Sequence, residues 1–434
     1  MPGERMYMAG SLNLEKRLLD AIMHMRAIDV HSHVPASAPF ARSLRELLGY
    51  HYYTELAHSA GMKRELIAPE VPDDQMIPAL LDAMSAIDNT VQYSWLMELA
   101  RELFGFAERK LTPGNWQPLA AAVQASSQRP GRAREIMERS CIDKVFLTNN
   151  FDEDLGAVER ALFVPSLRAD ALVFKFHDKG VRDALERATG AVPSNAAGLK
   201  RALATLVERF RNAGARSVAI SLPPHFCAAW VDDRQLSRAM RKAVRGPDPD
   251  ADEARLLQSG TLFALAGCCR DFGLPLQIMY GVVRDAYAHG VPQGADLPNA
   301  GDTIHGLLPL LNAFPEVTFC LSVLSDSQAQ ELNSYGWIVQ NVVVSGHWWY
   351  ANVPAYIARD LAARLQSVPK TKLIGYYSDM YKLEFGLAKF NVYRRILAKV
   401  LAADYVEAGL GTEEDAVGTA ELLLRGNAIR IFGL

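Results

Sequence analysis

Eight short apolar runs, separated by stretches with helical periodicity, constrain the fold more than any other feature of the sequence. The first run begins at Ala27, and the others occupy 142–147, 161–165, 217–222, 275–280, 317–322, 341–345 and 373–377. Strands that are apolar on both faces and alternate with helices are typical of a parallel sheet covered by helices. Eight such units predict an α/β fold closed as a (β/α)8 TIM barrel, in which length beyond about 250 residues is absorbed by insertions.

A doubly wound arrangement of two domains is the rival interpretation. It is less favoured because no Gly-x-Gly-x-x-Gly follows the first run and no phosphate-binding Gly-Lys-Ser/Thr loop is present. The segment from about 35 to 140 has helical periodicity, few strand signals and no Gly/Ser linker. We therefore expect one domain over 1–434, with a large helical insertion after strand one. The stretch 246–250 predicts an exposed turn between two charged helices.

Composition excludes several classes of partner. The formal net charge is −3 and Lys and Arg form no cluster, which argues against nucleic-acid binding. No stretch approaches the roughly 18 apolar residues of a membrane span. The five cysteines are scattered without a Cys-x-x-Cys pair, which favours a reducing compartment. We expect a soluble cytoplasmic protein.

Two histidines separated by one residue, His31 and His33, follow the first apolar run. Residues two apart on an extended strand point to the same side, so both imidazoles can reach one metal ion. The alternative is a pair of ordinary polar residues at a strand end. The position of the pair, after a buried strand and before a loop, favours a metal or catalytic site.

Further polar and aromatic residues follow other predicted strands, and barrel enzymes assemble their active sites at the carboxyl ends of the strands. Arg168 follows strand three, His347 and Trp349 follow strand seven, and Asp379 follows strand eight. Strand eight lies beside strand one in a closed barrel, so Asp379 is the expected third ligand. Two imidazoles and one carboxylate leave positions open for water or substrate, as a catalytic zinc ion requires. Of Trp348 and Trp349, alternation predicts that only one lines the pocket.

Several segments together make the chain similar to the uronate isomerase (glucuronate isomerase) family of the amidohydrolase superfamily. That family carries Asp-x-His-x-His on strand one and an Asp after strand eight. The other similar segments are Gly49-Tyr50-His51-Tyr52, Pro165-Ser166-Leu167-Arg168-Ala169-Asp170, Leu276-Gln277-Ile278-Met279-Tyr280-Gly281, Ser345-Gly346-His347-Trp348-Trp349 and Tyr393-Arg394-Arg395-Ile396-Leu397. Their order and spacing agree with the family over most of the chain.

The resemblance implies a metal-dependent aldose–ketose isomerase of a uronate or related sugar acid, acting as a homo-oligomer on a small molecule. One divalent ion, expected to be zinc, would be held by His31, His33 and Asp379. His51 or Tyr52 would transfer protons, since isomerisation needs a group that takes and returns a proton. The expected catalytic residues are His51, Tyr52 and Asp379. The expected substrate-binding residues are Arg168, His347, Trp349 and Tyr381.

The chain departs from the family at several positions that face the expected substrate. Tyr381 stands where the family has the arginine of Asp-Ser-Arg, Glu55 and His58 occupy arginine positions, and Met279 replaces a histidine. Arginine is the usual bidentate partner of a carboxylate, so these changes leave the substrate open. A mononuclear metal hydrolase or decarboxylase, with Asp379 accepting a proton from metal-bound water, is the alternative. An inactive barrel is less favoured because both histidines and the aspartate are intact.

Overall fold

The computed structural model describes residues 2–191, 193–245 and 249–434. The turn expected at 246–250 therefore begins outside the described residues. The strands are β1 (Ala27–Asp29), β2 (Ile142–Phe146), β3 (Asn149–Asn150), β4 (Phe163–Val164), β5 (Leu167–Arg168), β6 (Val218–Leu222), β7 (Leu276–Tyr280), β8 (Val282–Val283), β9 (Leu297–Pro298), β10 (Phe319–Val323), β11 (Val342–Ser345) and β12 (Leu373–Ile374).

Helices separate most of these strands. They are α1 (Pro2–Met23), α2 (Leu44–Leu48), α3 (His51–Ser59), α4 (Asp73–Met84), α5 (Val91–Phe104), α6 (Trp116–Ser127), α7 (Arg132–Arg139), α8 (Asp170–Phe174), α9 (Lys179–Thr189), α10 (Ala196–Asn212), α11 (Asp233–Arg245), α12 (Ala251–Phe272), α13 (Leu308–Ala313), α14 (Ala329–Ile338), α15 (Pro354–Ser367), α16 (Glu384–Val400), α17 (Glu413–Glu421) and α18 (Asn427–Phe432).

Polar side chains fix where several of these helices begin. The side chains of Ser43, Thr90, Asn195 and Asp250 accept hydrogen bonds from the first backbone N–H groups of α2, α5, α10 and α12. Such caps satisfy donors that have no partner within the helix. Thr412 and Asp415 form a reciprocal capping box at the start of α17. The helix boundaries thus follow from local sequence.

Ten of the strands form the wall of a parallel barrel. One sheet has the order β1-β2-β4, and a second has the order β12-β11-β10-β7-β6-β5-β3. Because β2 and β3 are successive parts of the second barrel strand, and β4 and β5 of the third, the two sheets join. Every residue of β6, β7, β10 and β11 is buried, which explains the continuous apolar runs.

Backbone hydrogen bonds close the barrel between its last and first strands. His33 N donates to Met380 O over 2.8 Å, and Asp379 N donates to His31 O over 3.2 Å. These bonds lie just beyond the ends of β1 and β12, at the carboxyl end of the barrel. The predicted (β/α)8 fold is confirmed, with eight strand positions in a closed ring.

Two predicted strands are shorter or more broken than the sequence indicates. The third barrel strand is interrupted at Pro165 and Ser166, and proline cannot donate a ladder hydrogen bond. The eighth ends at Ile374 instead of residue 377, because the next backbone N–H, of Gly375, donates to Leu423 O rather than to a neighbouring strand.

The segment between β1 and β2 contains helices α2 to α7 and no strand among its described residues. Its helices α5 and α7 pack against α16, which follows the eighth barrel strand. The insertion thus covers the side of the barrel where the first and last strands meet. No helix within the described ranges is both long enough and apolar enough to span a membrane.

The carboxyl end of the barrel is tightly packed around Gly346, which directly follows β11. Its φ is +52°, and an added Cβ would overlap the Tyr377 ring. Gly105, at the end of α5, has a φ of +69° and open space around it. Alanine at either position should lower the free energy of unfolding by about 1–2 kcal/mol, because its backbone would have to adopt the left-handed conformation. Gly346→Ala should lower it by a further ~1–3 kcal/mol, because the added methyl group overpacks the contact with Tyr377.

The free energies of unfolding of the Gly346→Ala and Gly105→Ala variants, measured in urea, check this expectation. Equal losses for the two variants would show that the contact with Tyr377 relaxes without cost.

Candidate active site

The three expected metal ligands meet at the carboxyl end of the barrel. The Nε2 atoms of His33 and His31 lie 3.3 Å and 3.7 Å from Asp379 Oδ1, and one ligand atom from each residue lies within 4.8 Å of the others. His31 Nε2 and Asp379 Oδ1 are buried without a hydrogen-bond partner among the described residues. Buried polar atoms are normally paired, so a shared cation would account for both.

Electrostatics keep His31 and Asp379 in the form that binds a metal. Burial, together with the neighbouring His33, lowers the pKa of His31 to about 3. Burial alone would raise the pKa of Asp379, but His33, His31 and Lys389 hold it at about 2. Metal ligands must be neutral imidazoles and ionised carboxylates. The residues present therefore fit a divalent ion, which they would hold through two nitrogens and one carboxylate.

A buried carboxylate on β1, Asp29, fixes the position of the aspartate ligand. Asp29 Oδ1 accepts a hydrogen bond from Ser378 N over 2.9 Å, and its Oδ2 accepts one from Ser378 Oγ. Burial raises the pKa of Asp29 to about 7, and the bonds from Ser378 oppose that rise. Asp29 thereby joins the first strand to the residue that precedes Asp379.

A buried lysine supports the same segment from α16. Lys389 Nζ donates to Ser378 O over 2.7 Å and to Tyr50 Oη over 2.9 Å, and Tyr50 Oη donates to Asp379 O over 2.9 Å. Asp379 needs this support because its φ is +53°, a strained value for a residue other than glycine.

Lys389 lies over three aromatic rings, with Nζ 4.6–5.2 Å from the centroids of Tyr50, Tyr52 and Trp95. Burial lowers the pKa of Lys389 to about 7. The sequence analysis did not identify this residue. The sequence hints at it only through the position of Lys389 on the face of α16 that is directed toward the core.

The metal-ligand cluster opens onto a cavity of about 230 Å³. Two guanidinium groups reach this cavity, those of Arg168 and Arg284. Arg168 Nε lies 3.3 Å from Asp170 Oδ2, whereas Arg284 donates to Asp296 Oδ2 over 2.6 Å and to Ser221 Oγ over 3.0 Å. Both arginines remain partly exposed and can bind a carboxylate. Arg284 was missed because it lies beyond the first residues after its barrel strand.

Three other expected residues also line the cavity: His51, Trp349 and Tyr381. Trp348 lines it as well, so the expectation that only one of the two tryptophans would do so is wrong. The chain leaves the strand at Ser345, and Trp349 has a φ of +42° in a short 3-10 turn, so strand alternation no longer applies.

Two expected site residues, Tyr52 and His347, are not among the residues that line the cavity. Tyr52 packs behind His51, with ring centroids 4.3 Å apart. His347 is buried with Nδ1 3.3 Å from Asp360 Oδ2 on α15, and burial lowers the pKa of His347 to about 4. Its side chain therefore contacts the surrounding helical layer.

The closed parallel barrel, with a cluster of two histidines and one aspartate at its carboxyl end, is the arrangement of a metal-dependent barrel enzyme. The sequence matches the family model for glucuronate isomerase over residues 7–422, and the chain belongs to that family. This confirms the resemblance inferred from the motifs.

Relatives support both the family and the fold. The chain is 26% identical to the uronate isomerase of Rhizorhabdus wittichii, over 94% of this chain and 93% of the relative. The structure of glucuronate isomerase from Caulobacter crescentus has a TM-score of 0.89 at 19% identity, covering 98% of this chain and 94% of the other. That of uronate isomerase from Thermotoga maritima has a TM-score of 0.88 at 18% identity, covering 97% of both chains.

Replacement of Lys389 should weaken metal binding without removing a ligand. Lys389→Met leaves Ser378 O unpaired and frees the segment that carries Asp379, so zinc affinity should fall about 10- to 100-fold, as for other groups that orient metal ligands. Lys372→Met is a control, because Lys372 also donates two hydrogen bonds, in its case to the backbone carbonyls of Gly336 and Val339. Competition with a chelator measures the affinities, and equal affinities for the two variants would contradict the expectation.

Proposed function

We propose that the chain isomerises a uronate, or a closely related sugar acid, between its aldose and ketose forms. The observation that carries this proposal is one cavity whose wall contains both the metal-ligand cluster and the guanidinium groups of Arg168 and Arg284. A sugar acid has hydroxyl and carbonyl oxygens at one end and a carboxylate at the other. The cavity offers a complementary group to each end.

Aldose–ketose isomerisation moves a proton between adjacent carbons through an enediolate, which requires a base and a positive charge near the oxygens. We assign proton transfer to His51, because its ring lines the cavity, whereas Tyr52 lies behind it. One zinc ion held by His31, His33 and Asp379 would supply positive charge to the substrate's oxygens. Arg168 and Arg284 would bind the carboxylate, while Trp349 and Tyr381 form the walls.

The hydrolase or decarboxylase alternative is not favoured by membership of the isomerase family. A site with two metals is also not favoured, since the part of the chain that the structure describes contains one cluster of three or more metal-ligating side chains. We also propose that the protein forms a homo-oligomer and works in the cytoplasm. All five cysteines are free, which agrees with a reducing compartment.

Turnover of uronates tests the proposal directly. Zinc-loaded protein should convert D-glucuronate or D-galacturonate to the corresponding ketose, detected by NMR, and should leave the neutral hexose D-glucose unchanged. His51→Ala should lower kcat about 10²- to 10⁴-fold, the range for loss of a general base. Absence of turnover with every uronate tested, or full turnover by His51→Ala, would contradict the respective assignment.

The two arginines should contribute to binding of the substrate carboxylate. Arg284→Met and Arg168→Met should each raise KM for the uronate, about tenfold or more, since a charged hydrogen bond contributes roughly 1.5–3 kcal/mol. Arg160→Met, at a position that does not line the cavity, is the control. Steady-state kinetics measure the effect. An unchanged KM in both cavity variants would show that the carboxylate binds elsewhere.

A further inference from the structure

Glu55 makes a direct contact with the histidine to which proton transfer is assigned. One helical turn separates His51 and Glu55 on α3, and His51 Nδ1 lies 2.5 Å from Glu55 Oε1. Their side chains are only 6% and 15% exposed. We propose that Glu55 is a positioning residue, which holds the proton of His51 on Nδ1 and presents the Nε2 lone pair to the cavity. This inference deepens the proposed function and rests on it.

The contact selects one tautomer of the imidazole. An ionised carboxylate can only accept hydrogen bonds, so the neutral ring must carry its proton on Nδ1 to bond with Glu55. The other nitrogen, Nε2, then has a free lone pair and can act as a base. Without the carboxylate, both tautomers become accessible and only one of them can accept the proton.

Aromatic side chains hold the His51 ring from other directions. Its centroid lies 4.3 Å from that of Tyr52, 5.1 Å from that of Trp349 and 5.5 Å from that of Tyr381. These contacts limit rotation of the ring, but among the described residues the hydrogen-bond acceptor for Nδ1 is Glu55. Orientation of the nitrogen atoms therefore depends on Glu55.

A loop packs closely against the side chain of Glu55. Gly294 lies between β8 and β9, and its N–H donates to Val291 O over 2.8 Å. A Cβ added at Gly294 would overlap Cγ of Glu55 and Cγ2 of Val291. The loop therefore leaves Glu55 little freedom to move away. Gly294 thus offers a second way to disturb the contact without changing either of the two residues.

The proposed step balances without another reactant. Nε2 of His51 takes a proton from the carbon next to the substrate carbonyl, so a C–H bond breaks and an N–H bond forms. The electron pair enters the enediolate, and the same proton returns to the neighbouring carbon, which was the carbonyl carbon. As it returns, the hydroxyl proton on the other oxygen of the enediolate passes to the former carbonyl oxygen, so a carbonyl and a hydroxyl group exchange places. The Glu55 carboxylate stabilises the imidazolium that exists between these two events, as an acidic partner does in other histidine bases.

The tautomer of His51 is measured on zinc-loaded protein with ¹⁵N-labelled histidine, in the absence of substrate. We expect the Nδ1–H form in the wild type. Glu55→Gln should produce a mixture of tautomers, and Gly294→Ala should shift the signal in the same direction. Glu331→Gln, which changes the exposed contact with His305 Nδ1, is the matched control and should leave the His51 signal unchanged. An unchanged His51 signal in both Glu55→Gln and Gly294→Ala would overturn the proposal.

Kinetics on D-glucuronate provide the second readout. Glu55→Gln should lower kcat at least tenfold while KM stays within about twofold, because the side chain acts through His51 and not on the substrate. Glu331→Gln should retain wild-type kcat and KM. Wild-type kcat in Glu55→Gln would overturn the positioning role. Absence of turnover in the wild type would instead overturn the proposed function, while the tautomer measurement would still decide whether Glu55 orients His51.

Discussion

The hydrogen bonds between Asp29 and Ser378 are the interaction on which the rest of the site depends. Asp29 is fully buried at the end of β1 and binds both the backbone N–H and the hydroxyl group of Ser378. The eighth barrel strand has already lost its ladder at this point. The Asp29 side chain therefore reinforces a junction that the backbone hydrogen bond from Asp379 N to His31 O also holds. Together these bonds place Asp379 opposite His31, where a cation can bind all three ligands.

Strain and buried polar groups are concentrated around this junction. Asp379 and Trp349 both have positive φ values, and Lys389 is enclosed beneath Asp379 with no exposed surface. Such features persist only where the surrounding structure determines them strongly. Here the surroundings are α16 and the insertion, because Lys389 lies on α16 while Tyr50 and Trp95 belong to the segment between β1 and β2. The helical insertion thus supports the geometry of the active site.

The barrel and the metal ligands could be predicted because both follow from short-range patterns. Apolar runs encode the strands, and the spacing of His31 and His33 follows from strand geometry. Loop residues were less predictable: His347 turns away and Trp348 turns inward because of a turn that no periodicity reveals. Lys389 and Arg284 depend on the packing of distant segments. Glu55 was visible as a departure from the family, but its contact with His51 required the course of α3 and the loop at Gly294.

We expect one metal ion to connect the first and last strands of the barrel through His31, His33 and Asp379. Crystals of zinc-loaded protein, measured on both sides of the zinc absorption edge, would locate such an ion. We expect one anomalous peak per chain, bonded to His31 Nε2, His33 Nε2 and an Asp379 oxygen at about 2.0–2.2 Å. A peak elsewhere, or two peaks within the cavity, would contradict it.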